Sequence, residues 1–159
     1  MEAHKLILRK GTAIQLQTQA QTRQVRLSLG TALVLGLMDG KMDVGPTTAY
    51  LLTQGGDRCS ANCAFCPQAR QSRTSANMLS RVTWPSFNME NVARALETNG
   101  TLKRVCVQAA NYPGVLEDIL RIVRRMRSRR PWTVSVSCHP ISGDDLIILK
   151  EAGVERIAI

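Results

Sequence analysis

The C-terminal half of the chain alternates between two hydrophobic periods, and this constrains the fold more than any other feature. Residues 102–109 (Leu-Lys-Arg-Val-Cys-Val-Gln-Ala) read as a strand, and Asn111-Tyr112-Pro113-Gly114 reads as a turn. Residues 115–129 then carry Leu116, Ile119, Leu120, Val123 and Met126 at helical spacing. The pattern repeats: residues 132–138 form a second strand-like run, and Ser142 with Asp145 three positions on reads as a capping box. Gly153 ends that helix and residues 154–159 open another strand. Strands alternating with helices predict βα units on a parallel sheet, so the expected class is α/β and the expected architecture a β/α barrel.

Upstream, Gly45-Pro46 punctuates the chain, and residues 47–53 (Thr-Thr-Ala-Tyr-Leu-Leu-Thr) read as the first barrel strand. Gln54-Gly55-Gly56-Asp57 then opens a long loop that runs to Pro85. The spacing predicts a helix over 88–98 with Val92, Ala95 and Leu96 as its apolar face, ended by Gly100. Residues 25–38 have roughly helical apolar spacing with Gly40 as a stop, and Leu6, Ile7 and Leu8 suggest a short strand in an otherwise polar N-terminus. The expected division is an N-terminal helical extension over 1–45 and a partial barrel over 46–159. A closed barrel of eight such units takes about 250 residues. A chain of 159 residues is therefore expected to be the N-terminal half, truncated within its fourth strand. In isolation it should be unstable or aggregate, because an open edge and an apolar face would be exposed; a half-barrel dimer is the weaker alternative.

The loop at the end of the first strand contains Cys59-Ser60-Ala61-Asn62-Cys63-Ala64-Phe65-Cys66, a C-x3-C-x2-C spacing. One short loop can present three such thiolates to one inorganic centre, and cysteine thiolates are the usual ligands of iron–sulfur clusters. Three ligands on a cubane leave one iron free of protein sulfur, as a catalytic zinc site keeps an open position. A structural zinc site is the competing reading, but it wants four nitrogen or sulfur ligands, and neither His4 nor His139 is near in sequence. A catalytic loop at the C-terminal end of a parallel strand is also where β/α barrels keep their chemistry.

These residues resemble the signature of the radical S-adenosylmethionine (SAM) enzymes. The resemblance implies that Cys59, Cys63 and Cys66 hold a 4Fe-4S cluster whose fourth iron SAM chelates. It further implies reductive cleavage of SAM to a 5'-deoxyadenosyl radical that abstracts hydrogen from an unactivated carbon. By the same resemblance Phe65 lies beside the adenine, and Gln108, Ala109, Ala110 and Ser137 contact SAM. The family often has Gly-Gly-Glu at the end of the second strand, where this chain has Gln108-Ala109-Ala110-Asn111. Three further stretches, residues 46–52, 61–70 and 79–85, are similar to the archaeal-type, two-protein lipoyl synthases, a branch related to biotin synthase. That resemblance implies sulfur insertion into an octanoyl chain on a protein lysine. The implied partners are a second radical SAM subunit, an octanoylated lipoyl carrier domain and an electron donor such as ferredoxin.

Sulfur-inserting relatives carry an auxiliary iron–sulfur cluster, which directs attention to Cys106 and Cys138. Alternation along the strands puts Val105 and Val107 outward and Cys106 and Gln108 inward, with Ser135 and Ser137 inward and Cys138 outward. For both cysteines an ordinary buried thiol is the plain alternative. His139, at a strand end, is a candidate proton carrier or a structural residue.

The chain carries 21 Lys and Arg against 12 Asp and Glu, a net charge of +9. The densest run, Arg121 to Arg130, reads first as a solvated helix face that complements the helix dipole, and second as a surface for an acidic carrier. Charge alone would also suit an RNA-modifying radical SAM enzyme. The six aromatic residues show no clustered pair, which argues against nucleic acid. The longest apolar stretch, about twelve residues over 27–38, is short of the roughly 20 a membrane span needs. No secretory signal is evident, and reduced thiols suit a cytoplasmic location. A non-catalytic iron–sulfur or zinc module is the reading from another class.

Overall fold

In the computed structural model, which describes residues 24–159, the elements follow one another as β1 (Gln24–Leu27), α1 (Leu29–Val34), β2 (Thr48–Leu52), β3 (Met78–Leu79), β4 (Val82–Thr83), β5 (Ser86–Asn88), α2 (Met89–Thr98), β6 (Arg104–Gln108), α3 (Val115–Arg127), β7 (Thr133–Ser137), α4 (Gly143–Glu151) and β8 (Val154–Ala158). One sheet has the order β5-β1-β2-β6-β7-β8, and β3 pairs with β4 in a separate hairpin. Strands β2, β6, β7 and β8 run parallel in sequential order, while β1 is antiparallel to both β2 and β5. A mixed α/β fold with a mostly parallel sheet is thus present, and each parallel step crosses over through a helix.

The core lies where the strand pleat and the helix stripes meet. Ala49, Leu51, Val105, Val107, Val134 and Val136 are fully buried and cluster with Leu96, Ile119, Val123 and Met126. Burying one such aliphatic side chain contributes about 1.5–3 kcal/mol. The intervening residues Cys106, Gln108, Ser135 and Ser137 stay partly exposed on the opposite face, which agrees with the alternation read from the sequence. Register aligns Tyr50, Cys106 and Ser135 in one row across β2, β6 and β7, and Leu52, Gln108 and Ser137 in the next.

The expected helix over 25–38 is shorter and starts later. Val25 and Leu27 alternate with Arg26 and form β1, because both apolar side chains enter the core beside β2. Ser28 then caps α1, its hydroxyl accepting from the Thr31 N–H, and Gly36 turns the chain out at φ 66°. Residues 1–23, including Leu6, Ile7 and Leu8, lie outside the described residues. In α2 the cap is Asn88, and the buried face is Val92, Ala93 and Leu96, with Ala95 only half-buried. The expected capping box at Ser142 and Asp145 is present in α4. The short strands β3, β4 and β5 have no counterpart in the sequence reading, since runs of two or three residues show no period.

The arginine run is a set of clasps rather than a bare charged face. Arg125 and Arg129 hold Glu90 on α2, Arg127 donates to the Trp132 carbonyl at 2.7 Å, and Arg130 donates to the Asn99 carbonyl at 3.0 Å. The Arg130 guanidinium also lies 4.3 Å from the centre of the Trp132 ring. Among the described residues no helix is long and apolar enough to cross a membrane.

Candidate metal and cofactor site

The loop that follows β2 begins with a close approach. A Cβ on Gly55 would stand 2.1 Å from the Tyr112 ring, so only glycine lets that ring seat against the loop. Tyr112 donates its hydroxyl to Asp118 at 2.7 Å, and burial, then the Asp118 contact, pushes the phenol above its ordinary range. Beyond Gly56 the cysteine loop is wound by its own backbone. Cys59 N–H donates to the Gln68 carbonyl at 3.0 Å, Cys66 N–H to Cys63 at 3.1 Å, and Arg70 N–H to Ala61 at 2.9 Å. Ser60 N–H reaches the Asn111 carbonyl at 2.7 Å, which ties the loop to the end of β6.

A cavity of about 140 Å³ opens where this loop meets the strand ends, and Cys59, Cys66, Gln108, Ala109, Ala110 and Ser137 all line it. Six residues singled out from separate stretches of sequence are thereby brought to one place. The strand ends are locked: Ala109 N–H donates to the Ser137 carbonyl at 2.8 Å, and Ala110 N–H to the Thr53 hydroxyl at 3.1 Å. Cys63 faces a neighbouring hollow, which it shares with Cys66. Phe65 lies outside the cavity and is 91% exposed.

The donor set suits an iron–sulfur group in its chemistry. All three sulfurs belong to one loop, Cys66 borders both hollows, and the Asn111 N–H is donated to Cys59 Sγ at 3.0 Å. Hydrogen bonds of that kind to ligating sulfurs help set a cluster's potential. Among the described residues no three metal-ligating side chains stand already gathered.

Cys106 is half-buried on the cavity face of the sheet, where its sulfur accepts from Gln108 Nε2 at 3.1 Å. Cys138 is buried within the hydrophobic core and touches the cavity rim, and burial raises its thiol pKa. His139 Nδ1 is buried with no hydrogen-bond partner among the described residues.

Sequence reasoning missed the residues that carry the loop. Arg58 donates to the carbonyls of Pro67 and Thr74 at 2.8 and 2.7 Å, and Gln68, only 5% exposed, donates to the carbonyls of Ala76 and Met78 at 2.6 Å each. Arg26 on β1 reaches Gln68 from behind. No local pattern marks such long-range contacts; the single available signal was a glutamine directly beyond Cys66-Pro67.

No protein-family model matches the chain, and no solved structure matches it. Among curated proteins it is similar to biotin synthases. It is 29% identical over 103 residues to that of Aquifex aeolicus, 28% over 102 residues to that of Persephonella marina, and 34% over 104 residues to that of Citrifermentans bemidjiense. Each match takes in 62% of this chain, which spans about 30% of the length of these relatives. The similarity supports a relationship to the radical SAM superfamily, and the mixed α/β sheet is consistent with it.

Proposed function

We propose that this chain is the cluster- and SAM-binding part of a radical SAM enzyme that inserts sulfur into an aliphatic carbon chain. The observation that carries the reading is the shared cavity: Cys59 and Cys66 open onto the same space as Gln108, Ala109, Ala110 and Ser137. Cys59, Cys63 and Cys66 would hold a 4Fe-4S cluster that, when bound, delivers an electron to SAM and so yields a carbon radical. The chain's own residues receive the cofactor. Ala109 and Ala110 present short side chains at the strand ends, so a ligand can approach the backbone closely. At 140 Å³ the cavity encloses only part of a SAM-sized ligand, since pockets for such ligands run to about 300 Å³ and more. The exposed Phe65 ring is the residue that the remainder would cover.

The finer reading is lipoyl formation. Residues 46–52, 61–70 and 79–85 resemble the two-protein lipoyl synthases, which makes the substrate an octanoyl chain on a carrier-domain lysine. A second radical SAM subunit, a ferredoxin-like donor and a cytoplasmic location belong to the same proposal, as does an auxiliary cluster involving Cys106. The relatives favour a second reading, biotin-synthase-like chemistry. An RNA substrate has only the net charge of +9 in its favour.

Anaerobic reconstitution with iron and sulfide tests the site. About four irons per chain, and an electron paramagnetic resonance signal altered by SAM, are expected. Bound zinc instead, or a Cys63→Ala variant with undiminished iron, would overturn the radical SAM reading. Mass spectrometry of an octanoylated carrier, incubated with the reconstituted chain and its partner subunit, then separates the substrates. A gain of sulfur on the octanoyl group supports lipoyl formation, whereas biotin formed from its sulfur-free precursor, supplied in a parallel incubation, transfers the assignment to the second reading.

A further inference from the structure

Three positions downstream of the cysteines converge on one guanidinium. Arg26 Nε donates to the Trp84 carbonyl at 2.9 Å, Nη1 to Gln68 Oε1 at 3.3 Å and Nη2 to the Ala76 carbonyl at 2.6 Å. Its neighbours Val25 and Leu27 point into the core, so Arg26 lies on the opposite face of the sheet. There its β1 position is registered with Leu52, which itself lines the cavity. Gln68 relays the contact: its carbonyl accepts from Cys59 N–H, its amide holds Ala76 and Met78, and its side chain borders the cavity. The Trp84 ring closes the far flank, Nε1 donating to the Leu79 carbonyl at 2.9 Å. All three acceptors of Arg26 are carbonyl oxygens, and no carboxylate pairs with it among the described residues.

We propose that Arg26 is a positioning residue for the cysteine loop, which it holds through Gln68, Ala76 and Trp84 while placing an unpaired positive charge behind the loop. The mechanical half stands on the chain's own contacts, and the electrostatic half rests on the proposed cluster. A planar fork can serve three separated acceptors at once, which a lysine ammonium on a flexible stem does not reproduce. A nearby positive charge also favours the more reduced state of an anionic cluster, because net charge and surroundings set the potential. In a partly buried setting it is weakly screened.

Arg26→Lys and Arg26→Gln separate the two halves. Hydrogen exchange on the metal-free chain should show residues 66–84 losing protection at least tenfold in both variants, with Val105, Val107, Val134 and Val136 unchanged. In the reconstituted chains the potential should shift negative in Arg26→Gln relative to Arg26→Lys, since only the lysine keeps the charge. Unaltered exchange over 66–84, or loosening there no greater than in the core strands, overturns the positioning role. Equal potentials in the two variants overturn the electrostatic part. Should the wild-type chain take up no iron, the radical SAM reading and with it the electrostatic part fail, while the exchange measurement still decides the mechanical one.

Discussion

At the residue scale, the candidate site depends on side chains and glycines that tolerate little change. Gly55→Ala would drive a methyl into the Tyr112 ring, whose hydroxyl is tied to Asp118. A cost of about 1–3 kcal/mol in denaturant unfolding is expected, and Tyr112→Ala in the same chain should remove most of the penalty caused by that methyl. Leu51→Ala, in the fully buried centre of β2, should cost about 2–5 kcal/mol by the same measurement. Glu90 carries the clearest pH signature. The Arg125 hydrogen bond, aided by Arg129, holds its carboxyl below the ordinary value. A depressed folded pKa contributes stability that is present above the unfolded value of about 4.3 and lost as pH falls through the folded one. The difference in melting temperature between wild type and Glu90→Gln should therefore be present at neutral pH and close below about pH 4.3. It should be small, because an exposed ion pair is screened.

At the element scale, the cysteine loop shows what periodicity can and cannot convey. The spacing of Cys59, Cys63 and Cys66 was legible because loop chemistry is written in consecutive residues. The β3–β4 hairpin that walls the cavity through Leu79 was not, since its strands have two residues each and its turn lacks glycine. Ser80 and Arg81 take φ of 50° and 66°, conformations that ordinarily favour Asn and Gly. Arg81→Gly should relieve about 1 kcal/mol of backbone strain, detectable as slower hydrogen exchange in the hairpin. Residues 25–38 misled because the apolar positions of a strand followed at once by a helix mimic one continuous helical stripe. The arginines of α3 and just beyond it looked like a solvated face, yet Arg125 and Arg129 reach across to α2 and Arg127 to the β7 and β8 junctions, contacts that helix periodicity cannot register.

At the scale of the whole molecule, one end of the sheet differs from the other. Next to β2, the antiparallel strands β1 and β5 extend the sheet and the short β5 forms one edge, while the parallel strand β8 forms the other; each edge strand has a partner on one side only among the described residues. Beside it α4 buries Leu149 and leaves Leu146, Ile147 and Ile148 exposed, Ile147 by 57%. Open edges and contiguous apolar surface promote association. Sedimentation should show the 159-residue chain self-associating as concentration rises, and Ile147→Lys should reduce that association without changing iron uptake.

The sequence by itself determined the alternation of strands and helices, the inward and outward parity of β6 and β7, the capping of α4, and the residue types of the candidate metal loop. All of these follow from backbone geometry acting over a few consecutive residues. Only the tertiary structure decided that β1 joins the sheet antiparallel to β2, that Gln108, Ala109, Ala110 and Ser137 meet Cys59 and Cys66 around one cavity, and that Arg26 clasps Gln68 from 42 positions away. Those contacts join residues far apart along the chain, and their formation is decided by which faces the packed sheet brings together rather than by any local preference.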